Sequence, residues 1–309
     1  MQPAEGAFYV NDFELSDALP WKVPARLVEL APGQTPPAEF ISDVLPRVRW
    51  AKPSTEGFKM AFRRIRRDVL AGRLMKMVPA ITQSGELVEG QWLTLLSSLL
   101  SAKAGGWGYA VGSAGQGFLG ITPELLFAQK GAQLQTMALA GTAKPGADTA
   151  FLEDVKEIDE HEIVVRFIMD QLKHLGTVQR EPRGLLSTAG LRHFHTALRL
   201  EAEQSLQADV MVKLLHPTPA VGCLPRSNSW LQRLHEYRQL LRVPAFFGAP
   251  FGFSDGVEQR FVVCIRGISW SGDTVLLPAG CGIVSGSAFD HEWRELKLKR
   301  ESVAKMLGL

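Results

Sequence analysis

The sequence predicts an α+β fold: one domain of two packed, largely antiparallel β-sheets flanked by helices. Three observations carry this expectation. Apolar, strand-length segments crowd residues 107–142 and 245–284 and are joined by short turns at 130–132, 254–256 and 271–273. Amphipathic helical segments are set between groups of strands at intervals, whereas a parallel sheet needs a crossover after each strand. No internal repeat and no break in composition interrupts the chain after about residue 55. Residues 1–54, punctuated by eight prolines from Pro3 to Pro53, are expected to be an abbreviated leading segment, and residues 55–309 the domain that carries the chemistry.

Taken in order, residues 55–71 place Phe58, Phe62, Ile65 and Val69 on one side of a helix closed by Gly72. The opposite face carries Arg63, Arg64, Arg66 and Arg67. No aromatic side chains interleave with them, so a solvated face is expected and not a nucleic-acid site. LMKMVPAITQ (74–83) alternates as a strand in which Lys76 shares a face with Leu74 and Val78. Its apolar flanks argue for a central strand with the lysine turned into a pocket.

A helix at 89–103 buries Trp92, Leu95, Leu96 and Leu99, and the strands 107–113, 117–122, 124–129 and 134–142 read as successive hairpins. Residues 149–175 form a long helix on which Glu157 returns to the side of Val164, Ile168 and Leu175, with Glu160 beside it. The strand 190–203 carries His193 and His195, a pair without a third ligand for zinc, so a neutral structural or substrate-facing role is expected. Helices at 205–215 and 229–241 flank the proline-rich loop HPTPAVGCLPR, and three strands follow at 245–254, 258–270 and 274–284. Arg266 sits within apolar VVCIRGI, where a buried guanidinium needs an anion from the protein or a ligand. From Asp290 a last helix begins, with Ser287 or Asp290 as cap. It carries Glu292, Glu295 and Lys299 on a stripe adjoining Leu296, Val303 and Leu307.

Two helices that each turn two carboxylates toward apolar surroundings require a cation between them, since an unpaired buried charge costs several kcal/mol. The donors are hard oxygens without a cysteine or histidine pair in register, so a magnesium-like ion suits them better than zinc. Such an ion keeps waters and shares its shell with an anionic substrate. The ligand expected is therefore small and acidic.

Composition narrows the class further. With 309 residues, of which 46% are hydrophobic, and a net charge of +2, the chain has a sizeable core and no global pull toward nucleic acid or membrane. No signal peptide or membrane span is legible, and three scattered cysteines form neither a disulfide framework nor a CxxC site. A reducing cytoplasm is expected.

The blocks AGRLMKMV, GITPELLF, LQTMALAGT, KEIDEHEIVV, LHPTPAVG, CIRG and AGCGIVSGSAFDHEWRELKLK, in this order, resemble the chorismate-utilising enzymes. These are isochorismate synthase, salicylate synthase, and the first components of anthranilate and aminodeoxychorismate synthases. The resemblance covers about residues 55–309 and implies a chorismate-binding catalytic domain. It implies that Lys76 is a general base for water and Glu124 a general acid for the departing 4-hydroxyl. It implies magnesium held by Glu160 and Glu295 with Glu157 and Glu292 in support, and substrate carboxylates held by Arg266, Lys299 and the backbone at Gly280 and Gly282. Leu139, Gly141, Thr142 and Phe246 then line the same pocket.

Lysine at position 76, where anthranilate synthases usually carry glutamine, favours water over ammonia as nucleophile. LAGT in place of PIKGT argues against the aminodeoxychorismate branch. Isochorismate synthase is thus the expected activity, acting as a monomer without a glutamine amidotransferase. Salicylate synthase, an anthranilate-type enzyme and a catalytically silent chorismate-binding subunit are the alternatives. The chain departs from the family in its short leading segment, in Phe246 where tyrosine is common, in Cys223 for glycine and Cys281 for alanine, and in AKPG for RPRG.

Overall fold

The computed structural model describes residues 6–30, 34, 44–101 and 105–309. Pro3, Pro32, Pro36 and Pro37, and the expected helix end at Lys103, lie outside them. The leading residues supply β1 (Ala7–Val10), β2 (Trp21–Lys22) and β3 (Arg47–Trp50). Next come α1 (Glu56–Leu70), β4 (Lys76–Met77), β5 (Ala80–Glu89), a 3₁₀ turn (Trp92–Thr94) and α2 (Leu95–Ser101). Four strands follow, β6 (Trp107–Gly112), β7 (Gln116–Thr122), β8 (Leu125–Lys130) and β9 (Gln133–Ala143), then α3 (Asp148–Leu152) and α4 (Val155–Leu172). After β10 (Gly176–Arg180), β11 (Gly184–Thr188) and β12 (Leu191–Ala202) come α5 (Ala208–Leu215), β13 (Cys223–Leu224) and α6 (Asn228–Leu240). The chain closes with β14 (Pro250–Ser254), β15 (Glu258–Val263), β16 (Gly267–Ser271), β17 (Thr274–Gly280) and α7 (Phe289–Leu307).

The strands build a nine-stranded sheet in the order β10-β12-β9-β8-β15-β14-β1-β2, with β11 also on β12, and a six-stranded sheet β3-β5-β17-β16-β7-β6. The short pair β4–β13 stands apart. The α+β class with two antiparallel sheets is as the sequence predicts. The large sheet buries Phe127, Leu134, Leu198 and Phe261 with Phe58 and Ile65 of α1, Val165 and Ile168 of α4 and Met211 of α5. The small sheet packs Leu119, Trp270 and Val275 on Trp92 and Leu95 and on Val303 and Leu307 of α7. Tyr109, Phe118 and Cys264 meet Val10, Phe246 and Phe251 where the sheets approach each other. Among the described residues no helix is long and apolar enough to cross a membrane.

Several element boundaries differ from expectation, and three of the differences build the site. The expected hairpin from 117–122 to 124–129 is a crossing: β7 lies in the small sheet and β8 in the large one, so Pro123 and Glu124 bridge them. The single strand expected at 258–270 likewise divides into β15 and β16, with Arg266 at the break in a left-handed conformation (φ 59°). A non-glycine residue held there stores about 1–2 kcal/mol of backbone strain. The two crossings are tied together, since Val263 N–H donates to Glu124 O (3.1 Å) and Ile121 N–H to Arg266 O (3.2 Å).

The third difference is in the long helix, which ends at Leu152 and restarts at Val155. Asp154 there adopts an extended conformation and its side chain accepts from Glu157 N–H (3.1 Å), a capping arrangement that begins a helix. Lesser corrections follow the same chemistry. The strand at 74–83 is broken around Pro79, which has no N–H for a ladder, and residues 80–89 extend as β5 before the helix expected from 89 begins. On α7 the cap position is Ala288; Ser287 Oγ instead accepts from Val284 N–H (3.1 Å), and Asp290 sits in the first turn.

Candidate active site

The two crossings, β4, the second turn of α4 and the middle of α7 converge on a narrow inner cavity of about 70 Å³. Lys76, Glu124, Leu139, Gly141, Thr142, Glu160, Arg266, Gly280, Gly282 and Lys299 all line it. Thr142 also lines an outer cavity of about 590 Å³ whose wall includes Glu157, His291 and Glu295. Glu160 faces the inner space and Glu157 and Glu295 the outer, so the carboxylates form the partition between them.

Lys156 binds this partition together. Its Nζ lies 2.9 Å from Glu157 Oε1, 2.9 Å from Glu160 Oε2 and 3.3 Å from Glu292 Oε1. Burial opposes the Lys156 charge, but Glu160, Glu295, Glu292 and Glu157 outweigh it and hold its pKa well above the ordinary lysine value. Lys76, 1% exposed, places Nζ 3.0 Å from the other oxygen of Glu160. Burial opposes the Glu160 charge as well, yet Lys156 and Lys76 prevail and keep its carboxyl well below the usual range. Glu157 is pushed up to about 7, by burial first and Glu160 second. Its Oε2 accepts from Thr142 N–H at 3.1 Å.

This arrangement leaves buried oxygens unserved. Glu292 is fully buried, and the Lys156 contact is an ion pair without hydrogen-bond geometry, so neither of its oxygens has a hydrogen-bond partner. Glu295 Oε1 pairs with Lys299 Nζ at 2.5 Å, while its Oε2 is unpartnered. Orphaned buried carboxylate oxygens are costly. Three such oxygens on one helix turn fit a hard divalent cation.

On the opposite wall, burial raises Glu124 to about 7, against the pull of Lys76, Thr218, Lys299 and Arg266. Burial likewise lowers Arg266 to about 10. Arg266 Nη2–H donates to His193 Nε2 (3.0 Å), and His193 Nδ1–H donates to Gly141 O (2.7 Å). The arginine has only donors, so His193 must accept at Nε2 and is neutral. Burial and Arg266 accordingly press its pKa well below the ordinary histidine value. Arg266 Nη1 is buried without a partner. It is a donor prepared for an anion.

The model of the chorismate binding enzyme family matches residues 30–308. The chain belongs to the chorismate binding enzyme family. It is 29% identical to the salicylate biosynthesis isochorismate synthase of Pseudomonas aeruginosa over 323 residues, covering all of this chain and 65% of that protein. It is 30% identical to the isochorismate synthase EntC of Escherichia coli K12 over 227 residues, 70% of this chain and 57% of that one. The chain thus spans less than two thirds of the length of these relatives. DhbC of Bacillus anthracis shares the fold, with a TM-score of 0.79 and 21% identity over 98% of this chain and 84% of its own.

Of the residues that family resemblance pointed to, Phe246 stands apart. Its ring stacks on Phe118 (centroids 4.2 Å apart) in the cluster between the sheets, and the adjacent Phe247 lines the inner cavity. No role was expected for Lys156 from the sequence. For Lys156 the signal was present, one residue before Glu157 and four before Glu160, the spacing of a helical ion pair. His193 has the neutral role expected for it: it lines the inner cavity, both its nitrogens are occupied by Gly141 and Arg266, and a β-bulge between Arg192 and Phe194 turns the strand locally.

Gly282 shows how tightly this site is built. A Cβ added there would fall inside the contact radius of Glu160 Oε1 and 2.5 Å from Lys76 Cε. Gly282→Ala is expected to wedge that ion pair apart, with turnover reduced about tenfold or more and stability lowered by about 1–3 kcal/mol. Steady-state kinetics with thermal unfolding checks this; an alanine protein indistinguishable from wild type would refute the close approach.

Proposed function

We propose that this chain converts chorismate to isochorismate. Water adds at C2 and the 4-hydroxyl departs as water, so the reaction is an isomerisation with no net hydration. The observation that carries this reading is the meeting of Lys76, Glu124 and the unpartnered Arg266 Nη1 on one buried cavity. The relatives named isochorismate synthases support it.

In this reading Lys76 Nζ takes the proton of the attacking water and Glu124, held near pH 7 by burial, delivers one to the leaving hydroxyl. Arg266 Nη1 binds a substrate carboxylate, with its guanidinium plane set by His193. Lys299, anchored on Gly280 O at 2.8 Å, supplies a second positive charge at the same wall. Glu160 and Glu295, with Glu157 and Glu292 in support, would hold a magnesium ion. When bound, the ion supplies Lewis acidity and charge neutralisation toward a substrate carboxylate. The enzyme works as a monomer in the cytoplasm without an amidotransferase subunit; water as nucleophile requires none, and its three cysteines are free and buried.

Incubation of the protein with chorismate and magnesium, followed by chromatography, tests the proposal. Isochorismate without pyruvate is expected, with turnover falling about 100-fold or more in excess EDTA and returning with added magnesium. Pyruvate with salicylate would move the chain to the salicylate branch. Undiminished turnover in EDTA would remove the metal from the mechanism.

A further inference from the structure

His291 has no role in the reading above, yet it stands at the cation centre. One ligand atom from each of Glu157, His291 and Glu295 lies within 4.8 Å of the other two. A cation with bonds of about 2.1 Å separates neighbouring ligands by about 3.0 Å and opposite ones by about 4.2 Å, so side-chain rotation is enough to close the set. His291 and Glu295 are four residues apart on α7 and therefore share a helix face. Glu157 approaches from α4.

Three further observations point to a ligand here. Glu295, 6% exposed, has Oε2 without a hydrogen-bond partner, and the fully buried Glu292 accepts no hydrogen bond, its Oε1 lying in ion-pair contact with Lys156. The outer cavity is lined by all three members of the set and gives an ion a path from solvent. His291 Nδ1 lies 3.9 Å from Glu292 Oε1, placing a carboxylate behind the imidazole as in metal sites where an outer carboxylate orients a ligating histidine. The His291 side chain is half exposed and free to turn toward the ion.

We propose that His291 is a nitrogen ligand of the cation centre and that it makes the centre bind manganese(II) more tightly than magnesium. Magnesium demands oxygen ligands and exchanges its waters reluctantly, whereas imidazole suits first-row transition ions. An all-carboxylate site has little basis for that preference. This inference rests on the divalent-cation reading above and sharpens it.

The test is calorimetric titration of the full chain with manganese(II) and with magnesium, together with pulsed electron paramagnetic resonance of the manganese-loaded protein. Wild type is expected to bind manganese(II) about tenfold or more tightly than magnesium and to show the ¹⁴N coupling of a directly bound imidazole. His291→Ala should lose that coupling and about 10- to 100-fold in manganese affinity, with magnesium affinity changed less than about threefold. Absence of ¹⁴N coupling in wild type, or its persistence in His291→Ala, would overturn the histidine ligand. Binding of both ions that is abolished by Glu295→Gln but untouched by His291→Ala would do the same while leaving the cation centre in place. No saturable binding of either ion to wild type would overturn both.

Discussion

Lys76→Met is expected to lower turnover by about 10³- to 10⁴-fold while leaving chorismate binding within about threefold of wild type. The expectation follows from where Lys76 stands and from what remains without it. Lys76 is 1% exposed and lines the inner cavity. Methionine fills a similar volume in a flexible, apolar form, so no void is created and only the ammonium is lost. Glu160, the partner of Lys76, keeps Lys156 Nζ at 2.9 Å on its other oxygen and is not stranded. The fold should therefore survive at a cost of about 1–3 kcal/mol for the lost charged contact. Arg266 and Lys299 remain in place for the substrate carboxylates. Chromatography of product together with calorimetric titration of chorismate separates the outcomes. Turnover within about threefold of wild type would remove Lys76 as the base; loss of binding in parallel with turnover would make it an anchor instead.

The parts of this site that were legible in the sequence are those fixed by local periodicity. Glu157, Glu160, Glu292 and Glu295 lie on helices, and a period of 3.6 residues states which side chains point inward whatever the helix packs against. The interruption before α4 changed the extent of the helix but not the phase of its acids, because Asp154 restarts it just before Glu157. Glu124 and Arg266 are the opposite case. Each sits where the chain leaves one sheet for the other, and a strand pattern gives no sign of such a transfer when apolar residues run on both sides of it. Sheet membership is decided by non-local pairing, here Val262 on Leu125 and Gly267 on Gly120. The order of strands in either sheet was invisible for the same reason. Phe246 and Phe247 differ by one position in an irregular stretch, where no period tells which ring faces the cavity. Lys156 differs again: its ion-pair spacing to Glu160 is local, but its place at the centre of the carboxylates depends on the non-local approach of Glu292 on α7.

Glu124→Gln is expected to reduce turnover by about 10²- to 10⁴-fold and, unlike a merely structural change, to erase one limb of the pH profile. Burial raises Glu124 to about 7, so the carboxylic acid needed to protonate the leaving hydroxyl is present below that pH and lost above it. Wild-type turnover should therefore fall about tenfold for each pH unit well above 7, whereas the residual rate of the glutamine protein lacks that limb. The same proton bears on stability. In the unfolded chain the group titrates near 4.5 and in the folded protein near 7, so between these values the native state binds more protons than the unfolded state. Stability contributed by Glu124 is present in full below about pH 4.5, declines as pH rises, and is gone above about 7; the loss amounts to about 3 kcal/mol. Glu157 is also raised to about 7 and adds a slope of the same sign, so the informative quantity is the difference between wild type and Glu124→Gln, in which the Glu157 contribution cancels. Denaturant unfolding at pH 4.5 and 8 supplies that difference. Were wild type and variant to show parallel pH dependence in both stability and turnover, Glu124 would be an ordinary ionised carboxylate and the proton donor would have to be sought elsewhere on the cavity wall.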